Sequence, residues 1–292
     1  MTNFAREYAR FVRSAGPGSR LRLAPTPSGF LHAGNAVNFI LNWLSARLHP
    51  GARIFLRIDD LDADRKRPEY VQDIFDTLAW LGLDWDEGPR NADDFEKNWS
   101  QHLRLPLYFR ALENLRSSGL LFACGKSRRD LEPFQGKYPP EFRDQGLSLD
   151  DADVAWRIRT PDGFPLPDFV VRRRDGIPAY QLASVVDDRH FGVTHVIRGA
   201  DLLESTDAQL FLANSLNWPD FARVQFLHHP LLTDDTGTKL SKSAGGSALR
   251  QWRAEGRSPE GVFKQTAEWL GMDSGGVESV GDLLREYGKL TW

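Results

Sequence analysis

The sequence predicts an α/β fold built on a parallel sheet. Strand-like and helix-like periods alternate from residue 20 to residue 82, as βαβ units require. The composition is globular, with 41% hydrophobic and 26% charged residues. The 292 residues suit about two domains at roughly 150 residues each, enough to bury a sizeable core. A disordered chain is excluded.

Residues 3–14 form a short helix ended by the breaker Gly16-Pro17-Gly18. Arg20–Ala24 alternates as a strand and stops at Pro25-Thr26-Pro27-Ser28-Gly29. From Gly34, the residues Val37, Ile40, Leu41, Leu44 and Leu48 recur at helical spacing up to Pro50-Gly51. A β-branched and aromatic strand, Arg53–Ile58, enters the acidic run Asp59-Asp60-Leu61-Asp62. Pro68 then opens a helix that carries Val71, Ile74, Phe75 and Leu78 to Gly82. Residues 99–118 read as helix, and residues 119–153, with little periodicity, as an insertion or small second lobe. Val154–Arg159 and Asp168–Arg172 read as strands, with a turn at Asp175-Gly176. Val193–Arg198 is another strand, followed by a helix over Leu202–Leu216. The stretch Arg223–Leu232 is a strand ending in the polar loop Thr233–Lys242, and the last fifty residues are helical. No internal repeat or low-complexity tract is present.

The charge balance of 37 basic and 40 acidic residues, net −3, excludes a global polycation, so any nucleic acid must be held by a local patch. One cysteine, Cys124, excludes an intrachain disulfide framework and any Cys₂ or Cys₄ zinc site. The N-terminal segment is too polar for a signal peptide. Its Arg6, Arg10 and Arg13 resemble part of a transit peptide, against which Glu7 argues. No run approaches the ~18 apolar residues of a membrane span. A soluble, cytoplasmic protein without membrane partners is expected.

Two segments carry chemistry. Leu31-His32-Ala33-Gly34-Asn35 lies between a strand and a helix, where free backbone N–H groups and the helix dipole favour anions. Small residues there admit a nucleotide close to the backbone. Lys239-Leu240-Ser241-Lys242-Ser243 follows a strand, and its two ammonium groups suit a polyphosphate gaining charge during displacement at phosphorus. Each alone also reads blandly, as a glycine-containing helix start and as a solvated basic loop. Their coincidence at two strand ends favours the joint reading.

Together these segments resemble the HIGH and KMSKS signatures of the class I aminoacyl-tRNA synthetases. Arg22–Gly29, Arg198–Leu202 and Asp168–Ala183, with Val185-Val186-Asp187-Asp188 after it, are similar to the glutamyl-tRNA synthetase branch. Within that branch they are closest to its short paralogues, the glutamyl-Q tRNA(Asp) synthetases. The resemblance covers about residues 20–245. It implies a Rossmann-like catalytic domain over 1–118 and 154–245, with an acceptor-binding-like insertion at 119–153. A helical segment, 246–292, would then stand in place of an anticodon-binding domain. It further implies activation of glutamate by ATP as glutamyl-adenylate. Transfer to tRNA, at queuosine in the tRNA(Asp) anticodon, would follow. On this resemblance Arg22 and Arg198 fork the glutamate side-chain carboxylate. Tyr180 adds a hydroxyl, and Ala24, Thr26 and Asp59 complete the amino-acid site. His32, Gly34, Asn35, Asp201, Lys239, Ser241 and Lys242 hold ATP, with His32, Asn35, Lys239 and Lys242 serving the chemistry. Mg²⁺ is expected with ATP, and no all-protein magnesium cage is readable. A monomer is expected.

The sequence departs from this family in two places. Asp59 stands where the family usually has Glu for the substrate's α-amino group, one methylene longer. Asp59 also reads as a capping residue. At the family's zinc site, Cys124 and Tyr138 match, but Lys126 and Phe142 occupy the other two places. No zinc is therefore expected, and Phe122, Leu131, Phe134 and Phe142 would hold the insertion by packing. Lys126, Arg128, Arg129, Lys137 and Arg143 could grip RNA phosphates or form a solvated face, and Arg172-Arg173-Arg174 is open to the same two readings. His228-His229, Trp80, Trp85 and Trp156 read as packing residues. Two rival functions remain: an adenylate-forming ligase with another amino acid or acceptor, and a catalytically idle RNA-binding paralogue.

Overall fold

A computed structural model describes residues 2–232 and 249–291. In chain order its elements are α1 (Asn3–Ser14), β1 (Arg20–Leu23), α2 (Ala33–Arg47), β2 (Arg53–Leu56), α3 (Pro68–Trp80), the one-turn α4 (Ala92–Asp94), α5 (Leu105–Ser117), β3 (Leu121–Cys124), β4 (Ala155–Ile158), β5 (Val170–Arg172), α6 (Tyr180–His190), β6 (His195–Gly199), α7 (Leu203–Ser215), β7 (Gln225–His229), α8 (Leu249–Ala254), α9 (Glu260–Trp269) and α10 (Val280–Thr291). They divide into two compact units: Met1–Gln101 with Val193–Asp201 and Val224–Trp292, and His102–Gly192 with Leu202–Arg223.

The first unit holds the parallel strands. β1 pairs with β2 and β6 with β7, both in parallel. At the β1–β6 seam the Thr194 N–H donates to the Arg20 carbonyl and the Thr194 hydroxyl accepts from the Arg20 N–H, each at 2.9 Å. Helix α2 buries an unbroken run from Leu41 to Ala46, as a helix covered by neighbours on several sides must. Its polar exceptions are tied in through their donors: the Asn42 amide N–H donates to the Ile197 carbonyl, and the Ser45 hydroxyl donates to Tyr8 Oη at 3.1 Å. Tyr8 in turn donates to the Leu41 carbonyl at 2.8 Å. Phe4, Tyr8, Phe11 and Val12 form the apolar stripe of α1, and they share one core with Val262 and Phe263 of α9 and Leu283 and Tyr287 of α10.

The second unit is built differently. β3, β4 and β5 form an antiparallel sheet, with α5, α6 and α7 in the same unit. Two elements here escape the sequence reading. β3 has all four residues buried, so it lacks a period-2 signal, and it lies in the stretch read as aperiodic. Helix α6 has no side-chain N-cap and buries every residue from Leu182 to Asp188, which erases its helical stripe. Helix α5 starts at Leu105 rather than 99, after a π-turn at Phe95–Trp99 and a 3₁₀ turn at Gln101–Arg104. Pro106, inside the first turn, suits that start.

Candidate active site

Parallel strands direct their carboxyl ends to one side, the usual place for ligand recognition in such sheets. Here those ends carry Arg22 on β1, Asp59 just beyond β2 and Arg198 on β6. All three are buried, at 5%, 8% and 3% exposure. The Arg57 N–H donates to the Leu23 carbonyl at 2.8 Å and the Asp59 N–H to the Pro25 carbonyl at 2.9 Å. The loop carrying Thr26 is thereby held beside the loop carrying Asp59. Thr26 itself is exposed and Ala24 half-buried. The Arg198 guanidinium stacks over the Phe226 ring at 5.1 Å, a desolvated setting that strengthens any carboxylate fork it makes.

Asp59 is more constrained than its sequence context indicates. Arg57 holds it bidentately, Nε to Oδ1 at 2.6 Å and Nη2 to Oδ2 at 3.0 Å. The sequence reading missed Arg57. Its signal was a lone cation between apolar Leu56 and Ile58, two residues before an acid. The neighbouring Asp60 fixes the rest of the loop. It accepts from the Ser100 hydroxyl at 2.7 Å, the Gln101 N–H at 2.8 Å and Lys66 Nζ at 3.1 Å. Burial opposes the Lys66 charge, but the Glu96 and Asp60 carboxylates outweigh it and hold the ammonium above its ordinary pKa.

The start of α2 explains the His-Ala-Gly-Asn segment in local terms. His32 is the N-cap; its Nδ1 accepts from the Gly34 N–H at 3.1 Å, while Asn35 Oδ1 accepts from the His32 N–H at 3.1 Å. This reciprocal capping box satisfies two orphan donors. It also requires Nδ1 of the imidazole to be an acceptor, leaving Nε2–H as its donor. A Cβ on Gly34 would lie 3.0 Å from His32 Cε1. The glycine therefore makes room for the capping ring, a reason separate from nucleotide access. Gly199 serves Asp201 likewise, since a Cβ there would meet the Asp201 carboxylate at 2.5 Å. Asp201 is exposed.

Tyr180, the first residue of α6, belongs to the second unit and is 42% exposed. Lys239, Ser241 and Lys242 lie outside the described residues. Several cations considered for RNA have internal partners. Arg143 forks Asp168, Nε to Oδ2 at 2.6 Å and Nη2 to Oδ1 at 2.9 Å. Arg172 stacks on Trp156, Arg173 pairs with Asp175, and Arg174 donates to the Gly125 carbonyl.

The four positions of the family's zinc site remain neighbours but do not fit a metal. Cys124 is buried with Phe122, Leu131 and Tyr138 in a small core, with Phe142 packed against it. The Lys126 ammonium lies over the Phe142 ring at 4.7 Å. The two replaced ligands thus form a cation–π contact. The Tyr138 hydroxyl donates to the Phe142 carbonyl at 2.7 Å; burial, reinforced by Cys124, pushes its pKa well up and keeps that proton in place. Phe134, expected among the packing residues, is 38% exposed and meets Phe142 edge-on.

Residues 19–138 and 144–280 match the family described as tRNA synthetases class I (E and Q), catalytic domain. The chain is 40% identical over 283 residues to a glutamyl-Q tRNA(Asp) synthetase of Symbiobacterium thermophilum, covering 86% of each chain. It is 37% identical over 273 residues to the protein of that name from Pseudomonas aeruginosa, covering 84% of this chain and 88% of the relative. A crystal structure of the glutamate-tRNA synthetase from Elizabethkingia anophelis superposes with a TM-score of 0.73 at 24% identity. That match covers 92% of this chain but 65% of the other, and it establishes the fold.

Proposed function

This chain belongs to the class I tRNA synthetases (E and Q) through its catalytic domain, and from that premise we propose that it activates glutamate with ATP and transfers it to tRNA. In the first step a glutamate α-carboxylate oxygen attacks the α-phosphorus of ATP. The bond to the β-phosphate bridge breaks, and pyrophosphate leaves with that electron pair. The nucleophile is already ionised, so positioning and electrostatics suffice without a general base. In the second step an acceptor hydroxyl attacks the mixed-anhydride carbonyl, AMP departs, and an ester forms as the hydroxyl proton passes to solvent.

Arg22 and Arg198 take the side-chain carboxylate. Asp59, oriented by Arg57, meets the α-ammonium, with Ala24 and Thr26 lining the path. Nε2–H of His32, with Gly34 and Asn35 at the helix start, and Asp201 after β6 take ATP. Lys239 and Lys242 stabilise the departing pyrophosphate, Ser241 contributes to ATP binding, and Mg²⁺ accompanies the phosphates. The observation that carries this reading is the pair of buried arginines on the neighbouring strands β1 and β6, together with a capping histidine at the start of α2 whose tautomer is set. The names of the relatives support queuosine in tRNA(Asp) as acceptor. Glutamate-dependent exchange of labelled pyrophosphate into ATP tests the first step; no exchange, with or without tRNA, overturns it. Acylation of queuosine-containing against unmodified tRNA(Asp) tests the acceptor. The Arg57–Asp59 fork favours one second reading, a different amino acid, and a panel of amino acids in the same exchange assay separates the two.

A further inference from the structure

Asp73 is a carboxylate on the buried face of α3, 2% exposed, among Val71, Ile74, Phe75 and Leu78. A charge at such a position is retained only with strong partners. Asp73 has two, one on each oxygen. Oδ2 accepts from the Leu31 N–H at 3.0 Å, the residue directly before the capping His32. Oδ1 accepts from Arg253 of α8, which also donates to the Thr77 hydroxyl at 2.6 Å, one turn along α3. The circuit closes through the backbone, because the Leu249 N–H at the start of α8 donates to the Leu31 carbonyl at 2.9 Å. A parallel contact reinforces it: the Arg250 guanidinium covers the Phe30 ring at 4.6 Å, and Phe30 meets Tyr70 of α3 edge-on. Both backbone groups of Leu31 are thus engaged, one by α3 and one by α8.

We propose that Asp73 is a positioning residue for the ATP step, joining the turn that carries His32 to helix α8 through Arg253. The proposal rests on the reading of His32 as an ATP contact. The His32 backbone follows Leu31 without an intervening rotatable residue, so a slip of Leu31 displaces the capping ring and its Nε2–H together. Displacements of about 1 Å in positioning groups are enough to cost roughly a hundredfold in rate. Glutamate contacts at Arg22 and Arg198 lie on β1 and β6, outside this circuit.

The test uses the full chain and three variants: Asp73→Asn, Arg253→Met and both together. Asn retains an acceptor for the Leu31 N–H but loses the charge that Arg253 needs, so each single change cuts the same arm. The expected result is a fall of at least tenfold in kcat/KM for ATP in pyrophosphate exchange, with KM for glutamate within twofold of wild type. The double variant should be no worse than the more damaged single. Amide hydrogen exchange read by NMR supplies the second measurement. In Arg253→Met the Leu31 amide should exchange at least tenfold faster although residue 253 does not touch it, while the Ile54 amide in β2 is unchanged. Equal losses for ATP and glutamate, additive losses in the double variant, or an unaltered Leu31 amide in folded Arg253→Met overturns the proposal. Absence of exchange activity in the wild type would instead sink the functional reading, and the Leu31 amide would still decide whether the circuit operates.

Discussion

Arg22 and Arg198 are buried guanidiniums, and replacing either by a small residue would confuse lost recognition with a lost core contact. Arg198→Lys keeps the charge and most of the stem but removes the planar fork. We expect KM for glutamate to rise at least tenfold, in line with the ~1.5–3 kcal/mol of a charge-assisted hydrogen bond, with KM for ATP unchanged. Steady-state pyrophosphate exchange checks both. His32 allows a cleaner separation of cap from chemistry. His32→Ala should cost about 1 kcal/mol of stability through the lost cap. His32→Asn should restore that stability, because Asn caps well, yet leave activation at least tenfold down; melting curves and exchange rates on both variants decide it. The capping turn at His32–Asn35 was legible in the sequence because a strand–turn–helix signature keeps its residues contiguous. Arg57 left only a faint signal, the acid two residues on, and Asp73 left none. The partners of Asp73, Leu31 before α2 and Arg253 on α8, lie far away in the chain and are brought to it only by folding.

At the level of the insertion, side chains pack against one another around Cys124. Phe142 touches Phe134 and Tyr138 edge-on, at 5.3 and 5.9 Å, and carries Lys126 on its face. Truncating it to Ala should cost about 2 kcal/mol, below the 3–5 of a fully buried phenylalanine because Phe142 is only half-buried. Incubation with a strong zinc chelator should leave the melting temperature unchanged; a chelator-induced drop of several degrees would contradict the packing account. The sequence showed the missing ligands, since Lys126 and Phe142 cannot bind zinc. It could not show that the same two side chains would stack on each other. Helices α1 and α3, each with one apolar face, were readable from spacing to within two residues. The fully covered β3 and α6 were not, because burial on every side leaves no alternation to read.

Across the whole protein, two buried histidines set an acid limit on stability. Burial lowers the pKa of His195, and nearby His49 lowers it further, against a hydrogen bond at Ser14. Burial likewise lowers His229, against smaller opposing contributions from Pro230 and Asp201. The native state therefore holds both rings neutral, while the unfolded chain takes up protons near pH 6.5. Stability is intact above that value and declines as pH falls through it toward the depressed native pKa values. The melting temperature should be flat from pH 8 to 7 and fall between pH 6.5 and 5. His195→Gln should shallow that decline, and an unchanged slope would remove His195 as its cause. The carboxylates of Asp94 and Asp282, held down by their hydrogen bonds, titrate in a separate window at lower pH.

Helix α1 is fastened to the far end of the chain. Its Phe4 and Tyr8 rings meet Trp269 and Tyr287 edge-on, and the Thr2 hydroxyl donates to the Trp269 carbonyl, 267 positions away. At roughly 5–20 residues per second on a ribosome, about 15–50 s separate the emergence of these partners. All segments of the second unit, which ends at Arg223, are synthesised within that interval, so the unit begun first is finished last. The greasy side of α1 therefore lacks these partners until the last helices emerge.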